Sequence, residues 1–301
     1  MYDRKKLIFD LLLLTAILVW GINFAVLKLA YRSFHPIAFN AVRFFISAVT
    51  LSLLMRSRGM SFRIDRHDWN PMLRLGFLAH TVYQFLFVLG VAKTRAANAA
   101  LIMALTPVFA YLIGVWMKRE RFSPGVLSGI ILSLVGVSTI VVFGSSGVEL
   151  AGTWRGDLML IAAAFCWGWY SAESARLLAK YGALRLTVVT IVIGTALMIP
   201  LSIPWLLEQN WSAVPFSGWL SLAYSALLSI VYGYCIWAYA LSRIGVAHTA
   251  VFNNITPIVA LLAGWYMLGE RPFAAQLAGV FLVITGVFMV RSRKPTFVPD
   301  E

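Results

Sequence analysis

Residues 97–137 of the chain recur 150 positions later as residues 247–287, and this duplication limits the possible folds more than any other feature. Laid over each other without a gap, the two copies agree at 15 of 41 positions. Thr106-Pro107 matches Thr256-Pro257, Glu120-Arg121 matches Glu270-Arg271, and Gly114, Met117, Gly129 and Gly136 match Gly264, Met267, Gly279 and Gly286. Shared Leu, Val and Ala mean little in apolar sequence, but fixed spacing of Thr-Pro, Glu-Arg and two glycines is hard to reach by chance. A period of 150 residues is also far too long for a solenoid, whose repeats run about 20–50 residues.

The chain has 301 residues, of which 60% are hydrophobic and 12% charged, with a mean hydropathy of +0.82. Soluble domains carry about 25% charged residues, so the composition predicts an all-α integral membrane protein. The net charge of +13 would suggest nucleic acid in a soluble chain. Here the cations sit in short clusters between apolar runs, which is the pattern that orients a membrane protein, and nucleic acid is not an expected partner. Cys166 and Cys235 lie inside apolar runs with no CxxC partner, so they read as small hydrophobes rather than disulfide or zinc ligands. The first run, from Leu7 to Leu29, is too long for a cleaved signal and lacks a small-residue cleavage site; it reads as the first span.

A span needs about 20 mostly apolar residues. Ten stretches qualify: 7–29, 36–55, 71–92, 96–116, 124–143, 156–178, 185–207, 217–241, 246–267 and 273–291. The expected organisation is a first five-helix repeat over 1–143, a Gly- and Ser-containing linker over 144–155, a second repeat over 156–291 and a tail over 292–301. With the N-terminus inside, 17 of the 25 lysines and arginines fall on the cytoplasmic side and six outside, the other two being Arg43 and Arg74 at or within helices. Both termini are therefore expected in the cytoplasm. Five is an odd number, so the second copy must cross the membrane upside down. The loops agree, since Lys118-Arg119-Glu120-Arg121 is basic and its twin Leu268-Gly269-Glu270-Arg271 has lost two cations. Inverted repeats around a central cavity are the architecture of secondary transporters, with the substrate site near the midplane.

Trp20-Gly21 and Trp167-Gly168 open the two halves, Arg43-Phe44 lies in the second stretch, and the paired Thr-Pro and Glu-Arg elements follow. As a set these residues resemble the EamA-type ten-helix carriers of the drug/metabolite transporter superfamily, over nearly the whole chain, with an aromatic amino acid exporter as a plausible nearer relative. The resemblance implies a carrier that exports amino acids or other small metabolites across a bacterial inner membrane.

Several residues are candidates for a pathway. Pro107 and Pro257 fall mid-stretch, where each frees a carbonyl four residues earlier, and the expectation is a kinked pair of gating helices. His80, Tyr83, Gln84 and Phe87 follow the i, i+3, i+4, i+7 spacing of one helix face. A polar stripe in a spanning helix faces the bundle interior or a water-filled cavity. Trp20 and Asn23, then Trp167 and Tyr170, Tyr234 and Trp237, and Asn253 with Asn254 complete an expected aromatic-walled cavity suited to a flat, amphipathic solute. The plainer alternative is interhelical packing, together with interfacial aromatics such as Trp205, Trp211 and Trp219. Glu173 is read as a proton or substrate-amine site or as the partner of Arg176, and His80 as a second titratable candidate if protons are coupled. Arg43 reads as a structural clamp in preference to a ligand for a substrate carboxylate. The glycines of the fifth and tenth stretches are expected to brace those helices against each other or against a second copy, giving a monomer or a dimer.

Enzyme signatures are missing from the sequence. It has no GxxxxGK[ST] and no HExxH, and its one serine-protease-like string, Gly144-Ser145-Ser146-Gly147, falls in the linker. No cofactor and no metal are expected. The leading expectation is a secondary transporter embedded in lipid and working by alternating access. Broad efflux of aromatic or cationic drugs is the alternative, and a channel or a membrane enzyme is a more distant one.

Overall fold

The computed structural model describes residues 4–94, 96–143, 154–259, 261–262 and 274–293, and these are helical with no strand among them. Glu270, Arg271, Gly264, Met267, most of the linker and most of the tail lie outside the described residues. The first helices are α1 (Arg4–Ala30) and α2 (Pro36–Ser57). The third apolar stretch holds α3 (Trp69–Phe77) and α4 (Tyr83–Lys93), joined by a π-helical segment at Leu78–Val82. Next come α5 (Ala96–Met103), α6 (Thr106–Trp116) and α7 (Pro124–Val142). The second half contains α8 (Trp154–Tyr181), α9 (Ala183–Glu208) and α10 (Phe216–Tyr224). A second π segment, Ser225–Tyr232, leads into α11 (Gly233–Ile244). They are followed by α12 (Val246–Ala250), a 3₁₀ turn at Val251–Ile255 and α13 (Ala274–Ser292).

Six of the described stretches are long and apolar enough to cross a membrane, and Ile8–Asn23 and Leu101–Trp116 are shorter apolar helices. Their outer faces leave Leu53, Leu201, Leu220, Phe281 and Phe288 more than half exposed, an apolar surface far beyond what a water-soluble monomer presents. Helix starts follow the local chemistry. Pro36, Pro107 and Pro124 each occupy the first turn of a helix, where the missing N–H has no intrahelical partner to lose.

Pro107 and Pro257 therefore do not sit mid-helix as expected. The first copy ends α5 at Met103 and restarts at Thr106, while the second runs through the 3₁₀ turn at Val251–Ile255 before Thr256 and Pro257 resume the helix. A proline ring clashes with the carbonyl four residues back, and the backbone relieves the clash by breaking the helix rather than bending it. The π segments are equally systematic: residues 78–82, advanced by 150, become 228–232 inside the second segment.

α7 and α13 run antiparallel in direct backbone contact. A Cβ on Gly136 would stand 2.7 Å from the Gly279 carbonyl oxygen, and one on Gly286 would stand 2.5 Å from that of Gly129. Close approach of this kind gains van der Waals contact where lipid offers no hydrophobic drive, and it commits both glycine faces to each other within one chain.

Polar contacts fasten the ends. Asp68 is buried and accepts hydrogen bonds from Arg176 (3.1 Å), Lys180 (2.5 Å) and Tyr181 (2.6 Å), tying the start of α3 to the end of α8. Lys180 also pairs with Asp65 at 2.6 Å, and its hydrogen bond holds the Asp65 carboxyl below the usual carboxylate range. Asp65, His67 and Asp68 have ligand atoms within 4.8 Å of one another, but the two carboxylates are taken up by Lys180. Asp10 and Arg291 form an ion pair at 2.5 Å, joining α1 to α13.

Gly286→Leu should separate α7 from α13 at a cost of about 1–3 kcal/mol or more, seen as a lower melting temperature and a broadened size-exclusion peak in detergent. Ser128→Leu, on the exposed face of α7, should change neither; equal behaviour of the two variants would contradict the seam.

Candidate functional site

A cavity of about 110 Å³ lies between the two halves of the chain. One water needs roughly 10–15 Å³ measured this way, so the space admits a small solute. Trp20, Asn23 and Leu27 come from α1, Arg43 from α2, Tyr83, Gln84 and Phe87 from α4, and Met103 and Ala104 from the break after α5. The second half supplies Trp167 from α8, Ser229 and Ile230 from the π segment, Tyr234 from α11, and Asn253, Thr256 and Pro257 from the second break.

Two contacts across the cavity join matched residues of the two halves, the first pair by the 150-residue shift and the second by the shared Trp-Gly pair. Gln84 Nε2 donates to the Tyr234 hydroxyl at 2.9 Å, and these positions are 150 apart. Trp20 and Trp167, the two Trp-Gly residues, meet edge to face with centroids 6.4 Å apart. Trp20 Nε1 donates to the Ser229 carbonyl at 2.9 Å, and its ring presses on Gly233, where a Cβ would lie 2.5 Å from that nitrogen. Tyr83 and Tyr234 flank Trp167 at 5.2 and 5.1 Å. The result is a wall of four rings with polar groups at its tips.

Among the described residues, Arg43 supplies the only formal charge in that wall. It is 3% exposed and donates from Nε to Asn40 Oδ1 (2.8 Å), from Nη1 to Ser225 Oγ (2.9 Å) and from Nη2 to Gln84 Oε1 (2.9 Å). Those bonds tie α2 to α4 and to the second π segment. Asn23 is buried, and its Oδ1 has no hydrogen-bond partner.

Nine of the residues expected from sequence meet at this cavity: Trp20, Asn23, Tyr83, Gln84, Phe87, Trp167, Tyr234, Asn253 and Pro257. The others stand elsewhere. His80 is packed against Phe44, Tyr170 and Tyr234, with Nε2 3.2 Å from Thr190 Oγ1. It belongs to the π segment, whose wider turn takes it out of register with Tyr83 and Gln84. Tyr170 and Trp237 are buried behind Trp167 and Trp20. Asn254 donates to Ser133 Oγ on α7 at 2.7 Å, and Pro107 is buried in α6 without lining the cavity. Glu173 lies in a separate polar recess, ion-paired with Arg74 and accepting from Trp169 Nε1 at 2.6 Å; Arg176, its expected partner, bonds Asp68 instead.

The sequence reading gave no chemistry to Glu120, but the fold does. Its buried carboxylate accepts from the amides of Val246 (2.8 Å) and Ala247 (3.2 Å), capping the N-terminus of α12. An anion there satisfies orphan donors and complements the helix dipole. The repeated Glu-Arg pair was the available signal. The sequence left Arg43 between a structural clamp and a carboxylate ligand, favouring the clamp; the fold gives it the clamp's hydrogen bonds and a place in the cavity wall.

Apolar helices of spanning length around a cavity that both halves of the chain line define a protein of the multi-pass membrane class. The EamA-like transporter family model matches twice, over residues 7–142 and 154–292, and the chain belongs to that family. Similar proteins include a transporter of Archaeoglobus fulgidus, 27% identical over 288 residues and covering 94% of this chain and 97% of that one. A protein of Streptantibioticus cattleyicolor named "Probable terminal-alkyne amino-acid exporter" is 27% identical over 93% of this chain and 92% of its own. One of Salmonella typhimurium named "Probable amino-acid metabolite efflux pump" is 27% identical, covering 92% and 93%. A solved crystal structure shares the fold with a TM-score of 0.79 at 21% identity, over 93% of this chain and 95% of its own.

Gln84→Leu strips Arg43 of a buried acceptor and should cost about 1–3 kcal/mol, whereas Tyr234→Phe removes only the hydroxyl and should cost about 1 kcal/mol. Thermal melts of the two purified variants test that order, and the reverse order would contradict the network.

Proposed function

We propose that the chain is a secondary transporter that exports amino acids or similar small amphipathic metabolites by alternating access. In this reading ten helices cross a bacterial inner membrane as two inverted five-helix repeats over 1–143 and 156–291, with both termini cytoplasmic and a single copy as the working unit. The single observation that carries it is the aromatic cavity, lined by both halves and flanked by a helix break in each. Breaks of this kind are tolerated in lipid only where backbone is buried or faces a cavity, and discontinuous helices frame the substrate in inverted-repeat transporters.

The inversion draws support from paired contacts. Gly129 meets Gly286 and Gly136 meets Gly279, and each pairing becomes the other under the 150-residue shift, as a two-fold axis between antiparallel helices requires. Gln84 with Tyr234 and Trp20 with Trp167 place corresponding residues on opposite sides of the same cavity. Two relatives bear names that specify amino-acid export, and the glycine faces that could have joined two copies are occupied within one chain. Glu120 would act as a latch, since its bond to α12 joins the halves and must break if that side opens.

Proteoliposomes loaded with labelled phenylalanine should release it saturably, and Trp167→Ala should slow release roughly tenfold while the protein still elutes as one peak. Flux that rises linearly with concentration would point to a channel, and no flux with any amino acid would reject this substrate class. Neither Glu173, held by Arg74 outside the cavity, nor His80, sealed behind Tyr234, is placed to carry a coupled proton. Glu173→Gln and His80→Gln should therefore leave any pH-gradient dependence of release intact; its loss in either variant would assign that residue to proton transfer.

A further inference from the structure

The cavity carries a cation that no carboxylate among the described residues balances. Arg43 lies eight residues into α2 and is buried, and a guanidinium stays charged in proteins. Its three hydrogen-bond partners, Asn40, Gln84 and Ser225, are all neutral. A guanidinium has five N–H donors, so one on each Nη remains unspent. Of the seven described carboxylates none lines the cavity: Asp10 pairs with Arg291, Asp65 and Asp68 with Lys180, Asp157 with Thr94 and Glu173 with Arg74, Glu120 caps α12, and Glu208 is exposed at the end of α9. Nor does the duplication supply a counterpart, because α9 holds no charged residue between Arg185 and Glu208.

A clamp between α2, α4 and the π segment explains the three hydrogen bonds but not the charge, because a neutral donor could make them without the cost of burying an ion. The cost becomes useful if the anion arrives with the solute. A second observation points to the other end of that solute. Asn23, 7% exposed in the same wall, has an amide oxygen with no partner. Cation, unspent acceptor and facing rings together are the complement of a zwitterion with an apolar side chain.

We propose that Arg43 reads the carboxylate of the transported solute, while Asn23 accepts from its ammonium group and the Trp20 and Trp167 rings hold the side chain. The proposal rests on the transporter reading above and sharpens it: an anionic head group is required, which sets organic cations and neutral drugs apart from true substrates. The guanidinium is held in place by Asn40, Gln84 and Ser225 before the solute arrives, so little ordering is needed on binding.

The test is a binding titration of the purified full chain with phenylalanine, 3-phenylpropionate, phenylalaninamide and phenethylamine, four probes with the same ring and different ends. Wild type should bind the two carboxylates about ten- to a hundredfold more tightly than the two amines, and chloride at constant ionic strength should compete. Arg43→Gln should erase that preference, and Arg43→Lys, which keeps the charge without the fork, should retain it with weaker binding. Asn23→Leu should bring phenylalanine down to the level of 3-phenylpropionate. Equal binding of acid and amide to wild type would overturn the role of Arg43 and leave the transporter reading standing, as would an undiminished preference in Arg43→Gln. If Arg43→Gln does not fold, loss of the carboxylate preference in folded Arg43→Lys overturns the charge assignment. Should wild type bind none of the four probes, the amino-acid reading falls and this one with it.

Discussion

Lipid offers no hydrogen bonds, and the architecture of this protein follows from that constraint. Each spanning segment must satisfy its own backbone, so the described chain is helical, and departures from helix are confined to places that can meet the cost. Both breaks before Thr-Pro and both π segments lie beside the central cavity or in contact with its lining. The Ser229 carbonyl, within a π segment, is taken by the Trp20 indole. Irregular backbone thus collects beside the cavity because lipid would leave its polar groups unsatisfied.

The same constraint explains how the helices hold together. The lipid-facing surface is as apolar as the interior, so burying more leucine gains little. Cohesion comes from close contact, as along the glycine seam of α7 and α13, and from a few polar stitches such as Asp68 with Arg176, Lys180 and Tyr181. Glu120 belongs with them, but its stitch joins the loop of one half to a helix start in the other. A contact of that kind can be both structural and a barrier to opening.

Symmetry and its violation divide the labour in the cavity. Corresponding residues meet as Trp20 with Trp167 and Gln84 with Tyr234, giving the two walls matched aromatic character. The charge of Arg43 and the amide of Asn253, which replaces Met103 of the first copy, occur once each. A solute with two unlike ends needs that kind of asymmetry.

Hydropathy alone placed most helices within a few residues, because a 30 Å apolar layer demands long runs that few other folds contain. The duplication, the family and nine of the cavity residues were likewise legible, since an interior-facing polar or aromatic stripe has little other use in lipid. Tertiary structure decided the rest. A 3.6-residue stripe cannot anticipate the wider turn that hides His80 behind Tyr234, and a proline motif does not say whether a helix bends or breaks. Its sequence neighbours leave Glu173 open as a pathway acid or a partner of Arg176, and it is Arg74, 99 residues away in sequence, that holds it. Only the folded chain shows that no carboxylate among the described residues comes to Arg43, because the partners of a charge are set by which helices meet, and that depends on packing over distances no local pattern encodes.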